Sequence, residues 1–302
     1  MRLGRIGVWQ GGSGRPAVDD REMVAELERL GYSAFWFGEA PGGKEAFTRA
    51  TTLLAATSTI VVGTGIASIW GRDPLNTASA IRTVGEAFPG RFIAGLGVSH
   101  RPLVELRGEK YERPLAAMTA HLAGMAASAV VQRSPEPTQP VPVVLAALRP
   151  KMLELAASAA DGAHPYFVPV EHTVRARQIL GPDKLLAPEV AVVLEPDPTE
   201  ARRLARIHTG SFYLSAPNYV ENLRWLGWSD EDLAGSGSDA LVDALVAWGD
   251  EEKIVSRLRD HLDAGADHVC IQPVTEIRPM VDGPDTGAIT ILRRLADALR
   301  DL

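Results

Sequence analysis

Apolar residues along the chain follow two rhythms. Short runs rich in β-branched and aromatic residues predict strands at Arg5 to Trp9, Ala34 to Gly38, Ile60 to Ile66, Phe92 to Leu96, Pro142 to Leu145, Gly162 to Phe167, Glu189 to Leu194 and His268 to Gln272. Between them, apolar positions recur every three or four residues, as at Met23, Val24, Leu27 and Leu30, with Asp19 or Asp20 as the expected N-cap and Gly31 just past the end. A second such helix starts at Asp250 and passes through Ile254, Leu258 and Leu262 to Gly265. Each stripe lies on one helix face and must pack on a flat partner such as a sheet. Parallel neighbours need helical crossovers, so eight strands alternating with helices predict an α/β fold, a (β/α)8 TIM barrel. Residues 198–248 are too long for one crossover and carry Tyr213, Tyr219, Trp225, Trp228 and Trp248. They predict a helical insertion between the seventh and eighth strands of a single barrel domain spanning 1–302. Gln132 to Pro140, with Pro135, Pro137 and Pro140, reads as an extended surface connection.

Composition narrows the partners. Of 302 residues 46% are apolar and 23% charged, and 31 basic against 38 acidic side chains leave a formal charge of −7. That balance, without a basic run, argues against nucleic acid or an anionic membrane and leaves a small molecule as the expected partner. The N-terminus lacks the pattern of a signal peptide, and no stretch approaches the roughly 20 apolar residues of a membrane span, so a cytoplasmic protein is expected. Cys270, the lone cysteine, sits in the run Val269-Cys270-Ile271 and reads as a buried neutral thiol.

A barrel places its chemistry where strands end and the following loops begin. Those positions hold Trp9-Gln10, Glu39-Ala40, Ala67-Ser68-Ile69-Trp70, Gly97-Val98-Ser99-His100, Ala146-Ala147-Leu148 and His164-Pro165-Tyr166. None of the lysines, at 44, 110, 151, 184 and 253, falls there, which argues against Schiff-base chemistry. Histidine spacing gives neither His-x-His nor His-Glu-x-x-His, strand-end carboxylates are sparse, and no metal is expected. Gly63-Thr64-Gly65 and Gly95-Leu96-Gly97 lack the third glycine and the direct helix of a dinucleotide fingerprint, and Gly97-Val98-Ser99-His100-Arg101 lacks the last glycine of a hydrolase elbow. These glycines do share a position at the ends of the third and fourth strands, where missing side chains let a planar ligand approach the backbone.

Several segments in order resemble the luciferase-like monooxygenase superfamily, and most of all the actinobacterial oxidoreductases that use coenzyme F-420. They are Leu30-Gly31-Tyr32-Ser33-Ala34-Phe35-Trp36-Phe37-Gly38-Glu39, Ala55 to Ile66, Phe88-Pro89-Gly90-Arg91-Phe92-Ile93-Ala94-Gly95-Leu96-Gly97, Tyr111-Glu112-Arg113-Pro114, Ala160-Asp161-Gly162-Ala163 and Asp263-Ala264-Gly265-Ala266-Asp267-His268-Val269. The resemblance implies a homodimer, for which the small-residue helix Ala116 to Ala127 offers a flat face. It implies a deazaflavin site at Glu39, Ser68, Ile69, Leu96, Gly97, Ala146, Ala147 and Leu148, with a non-proline cis peptide in a bulge at Ser68-Ile69. Trp9, Trp70, His164 and Tyr166 are candidate substrate-pocket residues.

Three departures from the family pattern matter. Ala40 stands where many relatives have histidine, Val98 where one branch has glutamate, and Leu148-Arg149 where some have a glycine pair. His100 is then the nearest titratable group on the fourth loop and the candidate acid/base. Arg72, Arg101 and Arg149 could line a basic groove for the polyglutamate tail of coenzyme F-420. The expected function is hydride exchange between coenzyme F-420 and an organic substrate. The alternatives are an FMN monooxygenase of the same superfamily and a non-catalytic flavin-binding protein.

Overall fold

The computed structural model describes residues 3–11, 14–210, 212–277, 287–300 and 302. Its strands are β1 (Ile6–Trp9), β2 (Ala34–Phe37), β3 (Val61–Thr64), β4 (Ala67–Ser68), β5 (Phe92–Gly97), β6 (Val143–Leu145), β7 (Gly162–Ala163), β8 (Leu185–Leu186), β9 (Glu189–Leu194), β10 (Val246–Gly249) and β11 (Val269–Pro273). All recorded pairings are parallel, in the order β10-β9-β11-β1-β2-β3-β5-β6-β7-β8, with β4 on β5. The ring closes through the short stretch joining β8 to β9. On one side Ala187 N–H donates to Ala163 O and Glu189 N–H to Pro165 O; on the other, Asp267 N–H donates to Leu186 O and Cys270 N–H to Pro188 O. Counting β3 with β4 and β8 with β9, and leaving aside β10, an extra strand paired to β9 alone, gives the eight staves of a TIM barrel.

Side chains alternate across each stave. Ile6, Val8, Phe35, Phe37, Val62, Phe92 and Leu96 face outward against the helices, while Trp9, Trp36, Val61, Ile93, Val144, Ala187 and Cys270 fill the interior. At the centre Trp36 stacks on His164 at 4.6 Å between ring centroids and donates Nε1–H to His268 Nε2 at 3.2 Å. Cys270 is buried, and its thiol is pushed up by the loss of water, as a neutral interior thiol should be.

Several local expectations change. The third strand stops at Thr64, whose carbonyl oxygen enters space that glycine leaves free, 1.8 Å from where a Cβ on Gly95 would stand. The chain turns inward there, and pairing resumes at Ala67 on β5. The cis peptide is Gly65-Ile66, not Ser68-Ile69. The sixth strand is only Gly162–Ala163, since Pro165 carries no N–H and Phe167 adopts φ +59°. Neither Asp19 nor Asp20 caps the helix Ala17–Arg29; Pro16 stands at the cap. Asp20 instead turns inward and bridges both Arg49 Nε and Nη2 at 3.0 Å, a counterion that the buried guanidinium requires. By contrast Gly31 (φ +90°), Gly265 (φ +104°) and Asp250, which accepts from Lys253 N–H at 3.0 Å, end and begin their helices as expected.

The 198–248 segment folds into the helices Pro198–Thr209, Pro217–Leu226, Asp230–Leu233 and Asp239–Leu245, then ends in β10, a strand that the sequence reading lacked. Among the described residues one helical stretch, Pro114–Val131, is long and apolar enough by length and composition to cross a membrane, against the expectation of none; 22% of it is buried within the chain.

Gly95→Ala should expose how tight the strand break is. The clash is with backbone, which cannot rotate aside, so a loss of about 3 kcal/mol or more is expected in urea unfolding, above the usual cost of overpacking. Gly14→Ala, where a Cβ meets nothing within 4 Å, should change stability by less than about 0.5 kcal/mol.

Candidate active site

The site begins where the third strand breaks. Gly65 N–H donates to Phe37 O and Glu39 N–H to Ile66 O, so the turned segment is stitched to the end of β2. Glu39 accepts from Ser68 N–H at 2.8 Å and takes both arms of Arg72, at 3.0 and 2.6 Å. Arg72 also donates to Ser68 O at 2.7 Å and to Glu45 at 2.8 Å. With side-chain exposures of 9% and 4%, Arg72 and Glu39 form a buried bidentate pair around Ser68. Arg72 therefore does not line an open groove, as the sequence suggested.

On the inner side of this turn, Gly65 has no side chain because Trp9 Nε1 and His164 Nε2 would each lie 2.7 Å from its Cβ. Trp9 Nε1–H donates to Gly65 O at 3.0 Å. A Cβ on Gly97 would meet the Ile66 side chain at 2.5 Å and Ala146 Cβ at 3.1 Å. Half-buried Gly65-Ile66 and Ala146 thus make a surface of backbone and apolar groups in which the Ile66 side chain fills the gap at Gly97, with the buried Ser68 Oγ lacking a hydrogen-bond partner among the described residues. Backbone and apolar groups of this kind, beside a spare hydroxyl, fit one face and one polar edge of a flat tricyclic ring.

Aromatic side chains cover the other half of the mouth. Tyr166 lies 4.9 Å from Trp9 between centroids, and its hydroxyl bonds both Tyr213 Oη and Gln272 Oε1 at 2.7 Å. Since Tyr166 donates to Gln272, Tyr213 must donate to Tyr166. Phe167 stacks on Tyr213 at 4.8 Å, and Tyr219 stands 5.2 Å from Tyr213. His100 sits between Phe212 and Tyr219, with Nδ1 3.2 Å from Asn218 Oδ1. An amide oxygen only accepts, so Nδ1 carries the hydrogen and Nε2 a free lone pair. Burial lowers the pKa of His100, partly offset by that bond, so the ring is neutral at pH 7.

The remaining sequence-predicted residues divide between the mouth and the wall. Ile69, Leu96 and Ala147 pack outward in the helix-facing core, so only their backbones reach the strand ends. Leu148 joins the apolar cluster of the insertion, and its carbonyl accepts from His172 Nε2 at 2.6 Å. Trp70 donates to Val98 O at 2.8 Å and stands 6.2 Å from Tyr111. His164 lies under the mouth, 1% exposed; it donates Nδ1–H to Ala187 O at 2.6 Å, and burial pulls it down to about 4. Arg101, 62% exposed, lies over Tyr111, and both Arg101 and Arg149 act electrostatically on that phenol. They form a basic rim on the β5 and β6 side.

Glu189 is a candidate site residue that the sequence concealed. It reads as the first residue of an ordinary strand, yet it is 1% exposed, with Oε2 accepting from Phe167 N–H at 3.1 Å and Oε1 without a partner among the described residues. Loss of water pushes its pKa up to about 8, with the Phe167 bond opposing. A carboxylate in a predicted apolar strand was the only available signal.

Residues 1–268 match the family model described as luciferase-like monooxygenase. The chain is 23% identical over 292 residues to 5,10-methylenetetrahydromethanopterin reductase of Methanolobus tindarius, covering 84% of this chain and 90% of the relative. Its fold is similar to an F-420-dependent secondary alcohol dehydrogenase in complex with an F-420-acetone adduct, at a TM-score of 0.74 and 16% identity, covering 99% of this chain and 100% of the other. It is also similar to the oxygenating constituent of a Baeyer-Villiger monooxygenase from Pseudomonas putida in complex with FMN, at 0.70 and 11%, covering 99% and 98%.

The raised pKa of Glu189 has a consequence for stability. Between pH 4.5, its ordinary value, and about 8, the folded chain keeps a proton that the unfolded chain has lost, so stability falls as pH rises through this window. Glu189→Gln, neutral throughout, should raise Tm relative to the parent by an amount that is small near the bottom of the window, grows across it and then levels off. A constant difference would show that Glu189 is ionised in the folded chain.

Proposed function

Taking as premise that the chain belongs to the luciferase-like monooxygenase family, we propose that it is an oxidoreductase that holds the deazaflavin coenzyme F-420 on the strand ends from β4 to β6. The carrying observation is the Gly65-Ile66 and Ala146 surface with Ser68 Oγ, unpartnered among the described residues, at its edge. The F-420-using dehydrogenase with a similar fold supports the choice of cofactor, and the rim of Arg101 and Arg149 suits an anionic tail. When bound, a deazaflavin exchanges hydride with an organic substrate. The protein's own part is to orient that substrate under the aromatic cover, exclude water and move one proton. Neutral His100, with Nδ1–H on Asn218, offers Nε2 to a substrate hydroxyl proton. FMN is the second reading, supported by the FMN-bound monooxygenase of similar fold.

Parallel fluorescence titrations of the purified chain test the choice. Coenzyme F-420 should bind at least about tenfold more tightly than FMN, a difference near 1.4 kcal/mol. Preference for FMN would favour the monooxygenase reading, and binding of neither would leave a scaffold. In a turnover assay His100→Ala should lower kcat by about 100- to 10,000-fold with cofactor affinity kept.

The same reading includes a homodimer. Ala116, Ala120, Ala123 and Ala127 form one exposed stripe on the helix Pro114–Ala127, followed by Val130, 86% exposed. A groove of about 720 Å³ lined by Ile81, Leu122, Met125, Ala126 and Ala129 extends this apolar face. A second copy would cover it. Light scattering should give twice the 32.4 kDa chain mass, and Ala123→Arg should return the monomer.

A further inference from the structure

Glu189 lies one inward layer below the mouth: it is level with Cys270 of β11, whereas Ala191, the next inward position, is level with Gln272. The groups that face it come from four directions. They are the Phe167 amide and the Tyr166 phenol from the loop after β7, Tyr213 from the turn after Pro198–Thr209, Tyr219 from the helix Pro217–Leu226, and the Cys270 thiol from β11. None is a cation. A carboxylate there would be unpaired, whereas a neutral acid can accept from Phe167 through Oε2 and donate through Oε1. That donor has no acceptor among the described residues, and Tyr213 and Tyr166 form a chain of hydroxyl donors beside it that ends on Gln272.

We propose that the neutral Glu189 carboxyl, with the Tyr213 hydroxyl, whose hydrogen swings from Tyr166 Oη to the substrate while Tyr166 keeps its own on Gln272, forms a donor set for the oxygen of an uncharged carbonyl substrate, a ketone or conjugated enone. This rests on the oxidoreductase reading. As a carbon–hydrogen bond forms with hydride from a reduced deazaflavin, the carbonyl π bond breaks and its electron pair moves to oxygen. Donors fixed around that oxygen stabilise the charge, and the oxygen then takes one proton relayed from water by His100. Glu189 keeps its own proton throughout. Stabilisation of this kind is strongest in a dry site whose donors are already in place. Burial keeps Glu189 in the donor form until about pH 8, and with His100 also neutral the centre of the mouth, inside the basic rim, offers no charge to pair with an ionic substrate.

Binding of acetophenone to the full chain, with and without coenzyme F-420, tests the donor set without turnover; benzoate is the anionic control. Acetophenone should bind at mildly acidic pH at least about tenfold more tightly than benzoate, with its infrared carbonyl stretch shifted down. Its affinity should fall as pH rises through the ionisation of Glu189. Glu189→Gln, whose amide still donates, should keep the affinity within about threefold and abolish the pH dependence. Glu189→Leu should weaken binding by about tenfold, the loss of one hydrogen bond. A parent chain whose acetophenone affinity and carbonyl stretch do not change with pH overturns the proposal, even if the leucine variant fails to fold. Acetophenone binding that follows Glu189 in a chain that binds no deazaflavin supports the donor set while refuting the oxidoreductase reading.

Discussion

The ion pair between Arg72 and Glu39 holds the point on which the site is built. Each charge has lost most of its water, and removing Arg72 would strand the Glu39 carboxylate at a cost of about 3–5 kcal/mol, whereas Arg72 would keep Glu45 if Glu39 were removed. Both partners also bond the backbone of Ser68, one at N–H and one at O. The pair thus closes a loop around a single residue and fixes the 65–68 segment against β5. After Thr64 the segment turns into the space that Gly95 leaves, and Trp9 and His164 pack beneath it.

Desolvation then sets the character of everything below and around that turn. It lowers the pKa of His100 and raises that of Glu189, and both groups are neutral at pH 7 for the same reason, since burial disfavours whichever form is charged. The interior histidines His164 and His268 follow the same rule, each pulled down to about 4. Charge is kept at the rim, on Arg101 and Arg149, while the centre offers aromatic faces, hydroxyls and a carboxylic acid. A cofactor with an anionic tail and a flat ring suits that division. So does a substrate that brings an oxygen atom and no charge.

The family architecture depends little on the residues that distinguish this chain. Ala40 and Val98 leave the second and fourth strand ends without the acid and base some relatives place there, yet the barrel still brings Tyr166 and His100 to one mouth, with Glu189 one layer below. Tyr213 and Asn218 belong to the segment between β9 and β10, so the cover and the barrel each supply half of the polar contacts.

The barrel, the order of its staves and the strand-end positions of Trp9, Glu39, Gly97, His100 and Tyr166 were legible in the sequence, because side-chain alternation and helical stripes are properties of neighbours along the chain. Family-like segments added the glycine-lined platform. The location of the cis peptide was not legible, and it lies at Gly65-Ile66 rather than at Ser68-Ile69. Nor was the pairing of Glu39 with Arg72, or of Asp20 with Arg49, side chains 33 and 29 residues apart. Glu189 shows the limit most plainly: its sequence context gives a strand, but only the closed ring and the tyrosines of the inserted segment remove its water. Local pattern decides which way a side chain can point. How much water it loses, and therefore what charge it carries, depends on residues that only the folded chain brings beside it.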